Sequence, residues 1–368
     1  MGTGAVATLP GMTPECTLTV RSPADLINAV PYLIGFHPTD SIAVVATRAG
    51  RVIFAGRKDL PPPEWTAAEA RDDARQMAEI VARQDADAAT VIGYGEVPRV
   101  TSAVLRTAEA LRRVGMPVLD ELRVTDGRYW SYVCADPQCC PPDGTPCAPE
   151  QSAIAASATL AGQVALPDRE TLVAQIAAVT GEERVAMTAA TARAQARLGA
   201  LLDRELHEAT FARLVRRAGR AAVRDAERHY RSGRRLSDDD AAWLGVMLID
   251  TPVRDYAWER TGRQGWRLTL WMDVVRRVEP AYVPAPASLL SFAAWRLGMG
   301  ALACAAVDRA LAQEPLYPMA KLLENALDFG LSPALVSGWP DGAPVVDERA
   351  GAQEPRRARR RSPRRRSV

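Results

Sequence analysis

The sequence predicts two joined parts: an α/β domain, a mixed sheet covered by helices, over residues 16–148, then an all-α domain over 149–335. Three observations carry this. Short β-branched runs alternate with helix-period segments as far as about residue 134. After Gln151 the texture turns Ala-rich and helical, almost without interruption, to about Phe329. Beyond Trp339 the apolar periodicity stops, and the last stretch reads "EPRRARRRSPRRRSV".

Taken in chain order, residues 1–15 are expected to be a disordered lead. "TLTVR" is a short β-rich run, and Ser22 is an N-cap for a helix with Pro23 at its first position. In that helix Leu26, Ile27, Val30, Leu33 and Ile34 keep helical spacing. Pro31 predicts a kink or an early end, and Gly35 suits a left-handed C-terminal cap. "SIAVVAT" and "RVIFAGR" around Arg48-Ala49-Gly50 read as a β-hairpin. A helix over 66–83, the strand "AATVIGYG" and a helix over 98–114 follow. "PVLDELRVTDGRYWSYVC" reads as two strands about Asp126-Gly127, and a Cys/Pro-rich loop ends the domain. The helical half is expected to break near Pro167, Gly181, Gly233, Pro252, Gly262 and Pro280. Within it Ala303, Val307, Ala310 and Pro315 stand at the offsets of the second helix of a tetratricopeptide hairpin, with Tyr317 and Ala320 opening the next. Plain helix-hairpin packing accounts for the same residues. Residues 340–368 cannot bury enough apolar surface to offset their ordering entropy and are expected to be a disordered tail.

Apolar residues make up 48% of the 368, enough for cores that need no staples. No uninterrupted apolar run reaches the roughly 18 residues of a membrane span, so no membrane partner is expected. "MGTGAVATLPGMTPE" lacks a basic n-region and a long apolar stretch, so no secretory signal is expected and the default location is cytoplasmic. The six cysteines are then reduced thiols or ligands. The net charge of +2 conceals an asymmetry: from Ala350 onward eight Arg face one acid, Glu354. That leaves residues 1–349 with 38 basic and 43 acidic side chains. The tail would therefore bind polyanions weakly and without sequence preference. Arg dominates Lys throughout, Lys58 and Lys321 being the only two lysines, a bias that GC-rich codon usage also produces.

Two stretches hold reactive side chains on loops, where sites concentrate. In "IGFHPTD", His37 could act as a base or ligand oriented by Asp40, with Ser41 following. Cap and turn chemistry accounts for the same residues. In "YWSYVCADPQCCPPDGTP", Cys134, Cys139 and Cys140 are surrounded by proline. The spacing lacks the CxxC knuckle of structural zinc, and adjacent cysteines rarely share one metal, so no metal is assigned. A Cys3His set with His37, redox chemistry, and a stiff loop with partly buried thiols remain open. Gly93-x-Gly95 follows a strand where α/β sheets bind ligands, but the full GxGxxG is missing. No GxxxxGK[ST], GxSxG or HExxH is present, and no cofactor can be named.

"PADLINAVPYLIGFHPTDSIAVVA", "GRYWSYVCADPQCCPPDGTP", "PVRDYAWER" and "PASLLSFAAWRLGMG" together resemble domain of unknown function family 4192, found in actinobacteria. The resemblance covers about Leu18 to Pro333. It implies a cytoplasmic actinobacterial protein and implies no activity. Its motif positions are Gly35 to Pro38, Asp40, Ser41, Trp130, Cys134, Cys139 to Pro142 and, in the second half, Arg254, Asp255 and Trp295. Cys147 departs from the pattern, where an apolar residue is expected.

Two functional expectations follow. The first is an interaction or regulatory protein without a catalytic motif, offering its helical half to a protein partner. The second is an enzyme, or a metal- or small-ligand-binding protein, whose pocket joins the GFHP turn to the cysteine loop.

Overall fold

The computed structural model describes residues 5–8, 17–147, 152–160, 162–204 and 208–336. Two four-residue strands come first, β1 (Ala5–Thr8) and β2 (Thr17–Val20). The expected lead thus contains a paired strand at residues 5–8; the rest of it, His207 and the Arg-rich tail lie outside the described residues.

Helix α1 (Pro23–Ile34) starts where Ser22 accepts a hydrogen bond from the Asp25 amide. It runs three residues past Pro31 and stops at Gly35, whose φ of 93° is the left-handed cap. The early end expected at Pro31 does not occur. A proline inside a helix removes the hydrogen bond its own nitrogen would donate and crowds the carbonyl four residues back, but here the Gly35 amide still reaches the Pro31 carbonyl and the helix continues. The hairpin of β3 (Ser41–Arg48) and β4 (Arg51–Asp59) forms as expected. Then come α2 (Ala67–Ala82), opened by a Thr66/Glu69 capping box, β5 (Ala88–Tyr94), α3 (Val97–Arg113), β6 (Val118–Thr125), β7 (Arg128–Ser131) and β8 (Thr145–Pro146).

Among the described residues these strands form one eight-stranded mixed sheet in the order β2-β1-β4-β3-β5-β6-β7-β8. The β1–β4 and β5–β6 pairs are parallel and the rest antiparallel. Alternation along β3 assigns its two faces. Ile42, Val44 and Ala46 meet α2 and α3, whereas Ala43 and Val45 meet α1. Gly93 has a packing role on the first face: a Cβ there would lie 2.5 Å from Val100, so glycine lets α3 sit close to the sheet. That accounts for half of the Gly93-x-Gly95 pattern without a nucleotide.

Helix α4 (Ala153–Leu160) joins α1 over the sheet, its Ile154 and Ala158 belonging to the sheet core. The change from one core to the other therefore falls beyond Leu160. The helical half comprises α5 (Arg169–Ala174), α6 (Gly181–Arg204), α7 (Glu208–Arg231), α8 (Asp238–Met247), α9 (Thr251–Glu259), α10 (Gly265–Arg277), α11 (Pro284–Arg296), α12 (Gly300–Gln313) and α13 (Pro318–Asp328). Every residue of the mostly apolar helix α11 is buried, Ser288, Ser291 and Arg296 included, and the neighbouring helices wrap it. No helix among the described residues is long and apolar enough to cross a membrane.

One side chain stitches the halves together. Phe36, 2% exposed, belongs to the helical core although it follows α1. It is held there by a bridge in which the His37 amide donates to the Leu166 carbonyl and the Leu166 amide to that of Gly35.

Candidate functional site

The cysteine loop hangs from β7 by three anchors. Ser131 Oγ accepts from the Cys134 amide at 3.1 Å and donates to Asp120. The Trp130 indole donates to the Pro142 carbonyl at 2.9 Å, and Arg128 donates to the Gly144 carbonyl at 2.7 Å. Gly144 has a φ of 76°, and a Cβ on it would meet the Trp130 ring at 2.5 Å, so the loop's return path requires glycine. Between the anchors Asp136 makes the turn. Its carbonyl accepts from the Cys139 and Cys140 amides, and its carboxylate from that of Gln138.

The result is three sulfurs facing one another. The Sγ atoms of Cys134, Cys139 and Cys140 all lie within 4.8 Å of each other, Cys139 exposed and the others half-buried. The Asp136 backbone N–H, aimed at the Cys134 sulfur, holds that thiol below its usual range. Burial, together with hydrogen bonds to the other two sulfurs, pushes Cys140 up to about 12. Cys134 therefore ionises more readily than Cys140. Cys147 stands apart, buried in the sheet core as a plain apolar side chain.

The "GFHPTD" turn lies elsewhere. Ser41 pairs with Tyr94 on β5, and Tyr94 pairs through Val124 to Tyr129 on β7. Three strand spacings of about 4.8 Å put Ser41 and Tyr129 about 14 Å apart. Neither His37 nor Asp40 belongs to the group of ligand atoms, which among the described residues contains the three thiols alone. No hydrogen bond joins the His37 ring to Asp40, either. Asp40 has a φ of 39°, its carbonyl accepts from the Leu60 amide, and its carboxylate faces Arg99 at 3.6 Å. Ser41 is fully buried, and its hydroxyl has no partner among the described residues.

A cleft of about 690 Å³ runs between the sheet edge and the helical half. One wall is β4, which β1 covers only at Arg51 and Val52, so the outer edge from Ile53 to Asp59 has no strand partner among the described residues. The other wall is Trp295, Ala301, Cys304, Leu327 and Leu331. The walls are joined by Gln84, which donates to the Gly330 carbonyl at 2.8 Å, while the Trp295 indole on the Leu331 carbonyl at 3.0 Å braces the helical wall itself. Arg57 and Lys58 lie along the edge, paired with Asp59 and Asp73; burial holds both cations below their usual range. Burial pushes the Cys304 thiol up to about 11, so it stays protonated at neutral pH. A second cavity, about 600 Å³, lies within the helical half beside Arg184 and Arg309. Burial and the neighbouring Arg184 and Arg276 hold Arg309 down to about 10.

Of the second-half candidates, Trp295 reaches the cleft. Arg254 and Asp255 pair with each other, and Arg254 also donates to the Tyr317 hydroxyl at 3.3 Å, fastening α9 to the start of α13. Sequence reasoning did not find the β4 edge, Ala301 or Cys304. The one available signal was the run "RVIFAGRKD", in which Arg57 and Lys58 interrupt a strand otherwise rich in apolar residues.

A family model described as "Domain of unknown function (DUF4192)" matches residues 23–334, most of the chain. Neither the curated proteins nor the solved structures contain a match.

Proposed function

The chain belongs to the DUF4192 family, and from that premise we propose that it is a cytoplasmic interaction or regulatory protein that captures an extended peptide in the cleft beside β4. The observation that carries the reading is the edge from Ile53 to Asp59, which has no strand partner among the described residues, set inside a cleft of about 690 Å³. A bare strand edge offers a row of amide donors and carbonyl acceptors, and an incoming extended segment satisfies them by adding a strand. Most natural sheets blunt such edges with charge or cover. Here Phe54 to Lys58 are half-buried and flanked by apolar residues from both halves. Alternate side chains of a bound segment would point to opposite faces, one toward Leu33 and Ile34, the other toward Met77 and Ile80.

The tetratricopeptide-like hairpin belongs to the same proposal. Helices α11, α12 and α13 stack in turn, Ala303, Val307 and Ala310 are buried between them, and Pro315 separates α12 from α13. This stack supplies the wall opposite the strand edge.

The experiment is selection of peptides from a random display library on the full chain, followed by titration against Ala301→Trp, which fills the cleft from α12. Selected peptides are expected to lose at least about tenfold in affinity to the variant, and methylating alternate peptide amides should abolish binding. Peptides that bind the variant as well as the parent, or a library that yields none, would sink the proposal.

A further inference from the structure

The geometry points to a metal site at the opposite side of the sheet from the cleft: we propose that Cys134, Cys139 and Cys140 bind one thiophilic d10 cation, Zn²⁺ or Cu⁺, as a three-thiolate centre with an open fourth position. The inference is independent of the peptide cleft.

Three features carry it. The first is distance. A tetrahedral zinc with Zn–S bonds of about 2.3 Å needs sulfurs about 3.8 Å apart, and a trigonal Cu⁺ needs nearly the same. All three sulfurs already lie within 4.8 Å of each other, so small side-chain rotations close the shell. The adjacency of Cys139 and Cys140 argued against a shared metal on sequence grounds. The Asp136 turn, by accepting both of their amides, curls that dipeptide so that both side chains face Cys134.

The second feature is preorganisation. Ser131, Trp130 and Arg128 hold the loop at both ends before any ligand arrives. Ordering of the ligand loop, which usually opposes metal uptake, has then largely been met by the fold. The third is the donor set and its access. Thiolates select soft ions over Mg²⁺ or Ca²⁺, and Cys139 is open to solvent, giving an entry path. The Asp136 N–H on the Cys134 sulfur is the kind of outer contact that orients a ligating thiolate. No histidine or carboxylate completes the shell among the described residues, so the fourth position is left to water or an external ligand.

Binding is ligand exchange without redox change. Each sulfur that is protonated gives its proton to solvent as its metal–sulfur bond forms, and the incoming ion loses water. Uptake therefore weakens as pH falls.

The test uses the full chain, purified reduced and without a histidine tag. Titration with Co²⁺ should give a near-ultraviolet thiolate-to-cobalt band saturating at one equivalent, and Zn²⁺ should displace it. Competition against a colorimetric Cu⁺ chelator reports the Cu⁺ arm; whichever ion binds more tightly identifies the occupant. Cys134→Ser, Cys139→Ser and Cys140→Ser should each weaken binding by roughly 100-fold, whereas Cys147→Ser and Cys304→Ser should leave it unchanged. Absence of both the cobalt band and Cu⁺ retention in the reduced protein overturns the proposal. So does a band that persists undiminished in Cys134→Ser.

Discussion

In the helical half Glu227, only 4% exposed, accepts hydrogen bonds from Arg260 and from Arg267, each as close as 2.5 Å. This carboxylate ties α7 to the end of α9 and to α10. Nearby Arg277, also buried, joins Asp273 of its own helix to Asp238 of α8. The sheet half is simpler: its buried Glu121 meets the single cation Arg112. The buried hydroxyls of Ser41 and Tyr94, neighbours on adjacent strands of the same face, have no partner among the described residues, as is also true of Thr191 and Ser291 in the helical half. The difference follows from where backbone hydrogen bonds go. Helices satisfy their own amides internally, so nothing in the backbone sets how one helix meets another, and long paired side chains do that work. In a sheet the ladder itself joins the strands and specifies their register, and a buried hydroxyl between them can go unused.

The largest expected effect breaks the helical side of this comparison. Glu227→Ala leaves two guanidinium groups without their carboxylate and should cost about 3–5 kcal/mol in urea unfolding. A cost below about 1 kcal/mol would show that the network contributes little and that apolar packing alone orients α7, α9 and α10. The sheet side is sharpened by Ser41→Ala, which removes a hydroxyl that has no partner to lose. Stability should stay within about 0.5 kcal/mol of the parent or rise slightly, because the desolvation cost of an unsatisfied group disappears. A loss well above 1 kcal/mol would mean that Ser41 does bond in solution and that its hydroxyl contributes to the sheet half. The smallest expected effect concerns neither half. Deleting residues 350–368 should move the thermal midpoint by about a degree at most, and should abolish any low-salt binding to DNA or RNA, since residues 1–349 are net acidic. Binding that survives the deletion would place a basic groove in one of the two halves.

Much of the α/β half could be read directly. Ser22 and Gly35 cap where their chemistry says they should, and the β3–β4 hairpin forms about Ala49-Gly50. The helical half was legible as helices. Its packing was not, because the Glu227 network joins positions up to 40 residues apart that no periodicity relates. The cysteine loop was legible as a place, since three thiols among prolines stand out in any composition. Two things about it were not. The sequence could not say that His37 would be drawn off to the helical half by Phe36 and Leu166, nor that one carboxylate-bearing turn would converge the three sulfurs.

The sequence by itself therefore determined much of the local geometry: most of the segments that coil or extend in the α/β half, the helix cap residues Ser22 and Gly35, and which loop carries the thiols. These depend on φ/ψ preferences and side-chain contacts within a few residues. Only the tertiary structure decided that β1 pairs with β4 no further than Val52, leaving Ile53 to Asp59 without a strand partner among the described residues, and that α12 and α13, some 250 residues further on, wall in that edge. A cleft is made of surfaces left uncovered after everything else has packed, and no residue carries that information in its own neighbourhood.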